Sequence, residues 1–88
     1  MPIPHLANRA EELRREQGHL AQAEAGIEQG WGRLRNQQDL VQYLQNSGRD
    51  TAQAERLVQL MKQSLVEWEH HRRLIEQRIA HLENSAGS

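Results

Sequence analysis

The chain has no cysteine, no phenylalanine and only two prolines, and aromatic residues make up just 3% of its 88 positions. The lack of cysteine excludes a disulfide scaffold, thiol chemistry and a thiolate metal site. Trp31, Tyr43 and Trp68 are the whole aromatic set, which is too little to fill a thick globular core. An apolar content of 36% suits a thin seam, with one stripe buried per helix. An excess of either charge is also missing. Eleven Lys and Arg face 12 Asp and Glu, for a formal net charge of -1. Nucleic-acid binding draws on a basic surplus that neutralises phosphates, so a nucleic-acid partner is not expected. No apolar run approaches the ~20 residues that span a bilayer. Helix faces of mixed charge do not suit a membrane-surface helix either, so no membrane partner is expected. Met1-Pro2-Ile3-Pro4-His5 lacks a basic n-region and an apolar h-region. The expectation is therefore no secretory signal, and a cytoplasmic setting, which also suits a chain without cysteine.

What the sequence does have is periodicity. Leu6, Leu13, Leu20, Ile27, Leu34 and Val41 recur every seventh residue, a strong signal for a helix with a coiled-coil-like seam. Taking the companion seam positions four residues on gives Ala10, Gln17, Glu24, Trp31, Gln38 and Gln45, a small and polar half-seam. Pro4 suits the first turn of a helix, where its missing N–H costs nothing. Asn8 followed by Glu11 is an alternative start of the capping-box kind. Gly18, Gly26, Gly30 and Gly32 interrupt this helix, each costing about 1 kcal/mol relative to alanine. Two readings stand: a weak point that kinks near Trp31, or a small-residue ridge of Ala23, Gly26 and Gly30 that seats a bulky side chain.

Asn46-Ser47-Gly48-Arg49-Asp50-Thr51 reads as a helix stop followed at once by a helix start. Gly48 is placed to take the left-handed C′ conformation. Asp50 or Thr51 caps the next helix, with Gln53 able to reach back. So short a connection makes the two helices antiparallel neighbours. The second helix carries a nearly unbroken 4-3 pattern through Ala54, Val58, Met61, Leu65, Trp68, Arg72, Ile75, Ile79 and Leu82. Leu57, Leu60, Val66 and Leu74 widen that stripe beyond what one neighbouring helix covers. The fold predicted is all-α: a single hairpin over 1–88, with helix one at about 5–47, a turn at 47–50, helix two at about 51–83 and a frayed tail at 84–88.

Pairing about the turn gives residue numbers that sum to roughly 97 at 1.5 Å rise per residue. Trp68 then sits opposite the Gly26–Gly32 region, with Trp31 at the same level. Arg72 falls near Glu24. The two polar breaks would form a register-setting ion pair or would both reach for solvent. His71, beside Arg72, is expected to make a polar core contact. Helix one outruns helix two by about two turns. Leu6, Ala10 and Leu13 are thereby left overhanging, and a two-fold dimer forming a four-helix bundle would complete them.

Glu67-Trp68-Glu69-His70 contains Glu-x-x-His, the ligand spacing of ferritin-like metal bundles, with Glu24 or Glu28 as the extra carboxylate. The pattern is common by chance in charged helices. The serines lack a base, and the glycines lack the Lys-Ser/Thr of a phosphate loop. No catalytic residue and no cofactor are expected.

The stretch Gly48-x-Asp50-Thr51-x-x-Ala54-Glu55-x-Leu57, followed by Ser64-Leu65-x-x-Trp68-x-x-His71-Arg72-x-x-Ile75, resembles a group of small uncharacterised bacterial helical-hairpin proteins. The resemblance covers about half the chain, and the glycines of helix one depart from it. It implies that the Gly-x-Asp-Thr turn and the His71-Arg72 pair recur, and it implies a bacterial cytoplasmic setting but no activity.

The functional expectation is a structural or regulatory protein that associates with itself through its helices. Its interface or core would comprise Leu6, Leu13, Leu20, Ile27, Trp31, Leu34, Val41, Leu57, Met61, Leu65, Trp68, Ile75, Ile79 and Leu82. The alternatives are a metal-binding bundle built on Glu28, Glu67 and His70, and an adaptor for a helix of another protein.

Overall fold

The computed structural model describes the backbone of residues 4–87 and the side chains of residues 8–84. Two helices account for nearly all of it: α1, Pro4–Asn46, and α2, Ala52–Gly87. They pack antiparallel along their length into a rod of 72 × 15 × 15 Å. The α1 helix runs unbroken through all four glycines. The α2 backbone stays helical to Gly87, where the sequence suggested a frayed tail from residue 84.

The turn is set by local hydrogen bonding. Gly48 takes φ +70°, as expected of a C′ glycine. The Arg49 N–H donates to the Leu44 carbonyl at 2.9 Å and the Gly48 N–H to the Gln45 carbonyl at 3.1 Å. These two bonds make a complete Schellman closure. The Ser47 hydroxyl adds a bond to the Tyr43 carbonyl at 2.8 Å. On the far side, the Asp50 carboxylate accepts the Ala52 N–H at 3.0 Å. The Thr51 carbonyl takes the first α2 bond, from Glu55, at 2.8 Å. Asp50 is thus the side-chain cap, and Gln53 is not used.

Side-chain burial identifies the seam. In α2 it follows the pattern read from sequence: Ala54, Val58, Leu65 and Ile75 are buried, and Met61, Arg72, Ile79 and Leu82 are half-buried. In α1 the seven-residue repeat faces inward, but its companion positions lie three residues on, not four. Glu16, Ala23, Gly30, Gln37 and Leu44 turn toward α2, while Ala10, Gln17, Glu24, Trp31, Gln38 and Gln45 face solvent. The physical reason is desolvation. The four-residue choice would bury Glu24 and three glutamines without partners, which is costly. The three-residue choice buries Ala23, half-buries Gly30 and brings in two polar side chains that find partners across the seam. The Gln37 amide donates to the Ala54 carbonyl at 3.2 Å, and Glu16 accepts from Arg78 Nε at 3.2 Å.

Ile27, Leu34, Val58 and Leu65 form the central core, with Val41 and Met61 packed against it. Small residues set how closely the helices approach. A Cβ on Gly30 would lie 2.8 Å from Leu65 Cδ2, and one on Gly26 would lie 3.3 Å from the rim of the Trp68 indole. The Ala23–Gly26–Gly30 ridge therefore seats Leu65 as well as Trp68. Gly18 and Gly32 face open space.

Candidate functional site

Contacts between the helices pair residues whose numbers sum to 94 or 95 through the middle and open end, as Glu16 does with Arg78 and Gly30 with Leu65, and to 91 nearer the turn, where Gln37 reaches Ala54. On this register Gly87 reaches the level of Ala7. Leu13 is half-buried and does not overhang. Ala10 is exposed, and the side chain of Leu6 lies outside the described residues. The overhang expected from sequence thus shrinks to the first turn of α1, because α2 is a turn longer than its composition suggested.

Of the residues placed in the interface or core by sequence, Trp31 at 47% exposure and Leu57 at 41% lie outside the seam between α1 and α2. Trp31 moves out because α1 turns the neighbouring Gly30 inward. Leu57 flanks the α2 seam and finds no cover from a single neighbouring helix. Trp68 keeps 39% exposure even with its ring against Gly26. Leu20, Val41, Met61, Ile79 and Leu82 are half-buried, and Ile27, Leu34, Leu65 and Ile75 are buried.

Arg72 and Glu24 do not meet. Arg72 Nε approaches Glu76 Oε1, one turn on along its own helix, at 3.5 Å. That is near enough for charge attraction, but the geometry makes no hydrogen bond, and Nε is buried without a donor contact. Glu24 faces solvent because the α1 seam passes through Ala23. His71 is also exposed. It meets Trp68 edge-to-face, with ring centroids 6.1 Å apart, so it packs on the rim of the seam and not inside it. The ion pair that does cross the seam, Glu16–Arg78, was missed in the sequence. Glu16 keeps only 17% of its side chain exposed and also has His19 Nδ1 at 3.7 Å. The signal for it was Glu16 standing three residues after Leu13.

Glu28, Glu67 and His70 are exposed. Among the described residues of the single chain, no group of three or more His, Asp or Glu side chains gathers at metal-holding distance. Among the same residues, no helix is long and apolar enough to cross a membrane.

The exposed apolar residues fall on two flanks of the rod. On one flank, Trp31 and Val66, the latter 65% exposed, border a groove of about 500 Å³ floored by Leu34 and Leu65. Arg35, Gln38, Lys62 and Glu69 complete its walls. Toward the turn, past Gln38, lies a second groove of about 770 Å³ over Val41 and Val58, walled mainly by glutamines and by Glu55 and Arg56. The other flank carries Leu40, Tyr43, Leu57, Leu60 and Leu74 at 39–60% exposure. Neither groove sets a nucleophile beside a base. Both offer apolar floors with charged or amide rims, an arrangement suited to receiving another helix. No family model matches the chain, and no curated protein and no solved structure matches it.

Proposed function

We propose that this protein is a non-catalytic structural or regulatory component of the bacterial cytoplasm, acting through helix-mediated self-association. Its working form would be a two-fold dimer of hairpins, a four-helix bundle. The observation that carries this reading is surface area. The chain exposes 6845 Å², whereas a compact monomer of its mass, 10.2 kDa, exposes about 5300 Å². The excess, about 1500 Å², is larger than the ~800 Å² that each partner contributes to a standard interface. Much of it is the apolar surface of Trp31, Leu40, Leu57, Leu60, Val66 and Leu74, and a rod one layer thick has no means of burying both flanks by itself.

Light scattering after size exclusion, over a concentration series, tests the proposal. A mass of twice the chain's at micromolar concentration is the expected result. A monomer at every concentration would refute it. The groove of about 770 Å³ near the turn favours a second reading, in which the chain is an adaptor that receives a helix of another protein. A monomer that is stable and fully helical would turn attention there.

A further inference from the structure

The charged residues on the Trp31 flank are ordered in a way that bears on how two copies would meet. On α1, Glu24, Glu28, Trp31 and Arg35 follow one another at steps of three or four and so share a face. On α2, Lys62, Val66, Glu69 and Arg73 do the same, with Glu55 two turns before Lys62 on that face. The observed register places Val66 level with Glu28, Lys62 with Gly32 and Glu69 with Ala25. The groove centre is therefore apolar, with Trp31 and Val66. Arg35 and Lys62 stand on its turn side, Glu24 and Glu69 stand on its open side, and Glu28 is level with Val66. Farther out the signs invert, with Glu55 toward the turn and Arg73 toward the open end. Among the described residues, Glu24, Arg35, Glu55, Lys62, Glu69 and Arg73 make no ion pair within the chain.

We propose that the occupant of this groove is a second copy of the chain, docked antiparallel about a two-fold axis that crosses between the levels of Trp31 and Val66. The inference rests on the self-association proposed above and assigns its interface. Such an axis stacks α1 on α1 and α2 on α2 in opposite directions. Arg35 then faces Glu24 of the other copy, Lys62 faces Glu69, and Arg73 faces Glu55, each pair occurring twice by symmetry. All three pairs follow from one axis position to within about one residue of rise, ~1.5 Å. The two indoles come together at the centre with the Val66 side chains, which covers the apolar floor of Leu34 and Leu65. The parallel arrangement, with both turns at one end, fails on charge. It would set Arg35 and Lys62 of the two copies at one level and Glu24 and Glu69 at another, and like charges across an interface oppose docking.

Charge reversal with rescue tests this. The full chain and the variants Arg35→Glu, Glu24→Arg and the double variant Arg35→Glu/Glu24→Arg are compared by sedimentation equilibrium. Helicity by circular dichroism serves as the control for folding. Each single reversal is expected to raise the dimer dissociation constant about tenfold or more, because two attractions become two repulsions. The double variant is expected to return it to within a few-fold of the wild type. The effect of the single reversals should shrink in high salt. A dimer unmoved by the single reversals, or single reversals that the double variant does not rescue, would overturn the axis while leaving self-association in place. So would a dimer dissociated by Leu60→Arg on the opposite flank but not by Arg35→Glu. A wild-type monomer throughout would overturn both the axis and the self-association beneath it.

Discussion

Alanine at Gly30 and alanine at Gly32 change the same helix by the same atom, two residues apart, and the structure expects opposite outcomes. In a helix interior each replacement recovers about 1 kcal/mol of backbone propensity. At Gly32 nothing stands within 4 Å of the new methyl, so that gain is kept. At Gly30 the methyl would lie 2.8 Å from Leu65 Cδ2 and 3.5 Å from Leu65 Cγ. Leu65 is 4% exposed and packed in the central core, so its side chain has no open space to move into. Overpacking of this kind costs about 1–3 kcal/mol. The net at Gly30 is then between neutral and about 2 kcal/mol destabilising, and the two variants should differ by about 1–3 kcal/mol. Urea unfolding followed by circular dichroism at matched protein concentration measures this. The concentrations must match because association adds to apparent stability. If Gly30→Ala proved as stable as Gly32→Ala, the close approach of α1 and α2 at Leu65 would be wrong, and with it the placement of the α1 seam through Ala23 and Gly30.

Gly48→Ala should destabilise by about 1–2 kcal/mol, because φ +70° is the left-handed region that a Cβ disfavours. Open space around the position makes this a purely backbone effect, and Gly48→Asn should cost less; equal unfolding midpoints for the three proteins would contradict the Schellman closure. Arg72→Met should raise the unfolding midpoint, since it removes a buried Nε that has no hydrogen bond and keeps the packed stem. A fall in that midpoint would mean that Arg72 is held by a partner absent from the single chain. The Glu16–Arg78 pair, in which Arg78 is 51% exposed, should show a coupling of no more than about 1 kcal/mol in a double-mutant cycle. That coupling should decline with added salt, and a salt-insensitive coupling would point to a drier site than the one described.

The α2 seam could be read from sequence almost residue for residue, since Ala54, Val58, Met61, Leu65, Ile75, Ile79 and Leu82 turn inward as their 4-3 spacing requires. So could the turn, where a glycine able to take positive φ stands beside an aspartate able to cap. The α1 seam could be read only in part. Its heptad leucines face inward, but two companion sets, one through Trp31 and one through Gly30, flank them symmetrically. Choosing by size favours the tryptophan. The structure favours the glycine, because the opposing helix supplies Leu65, Trp68 and Arg78 to fill or satisfy what the small and polar residues leave. The same choice moved Glu24 into solvent and left Arg72 paired along its own helix.

The division follows from what each kind of information depends on. The hairpin, its turn and its antiparallel sense depend on interactions within a few residues of chain, namely propensity, capping and a repeat that matches the helical period. Those interactions are written in order along the sequence. Which face of α1 meets α2, which polar groups find partners and which apolar residues remain on the flanks depend on contacts between residues such as Glu16 and Arg78, 62 positions apart. Desolvation and steric fit are properties of both surfaces together, so the seam through Ala23 and Gly30 was settled only when the two helices were packed.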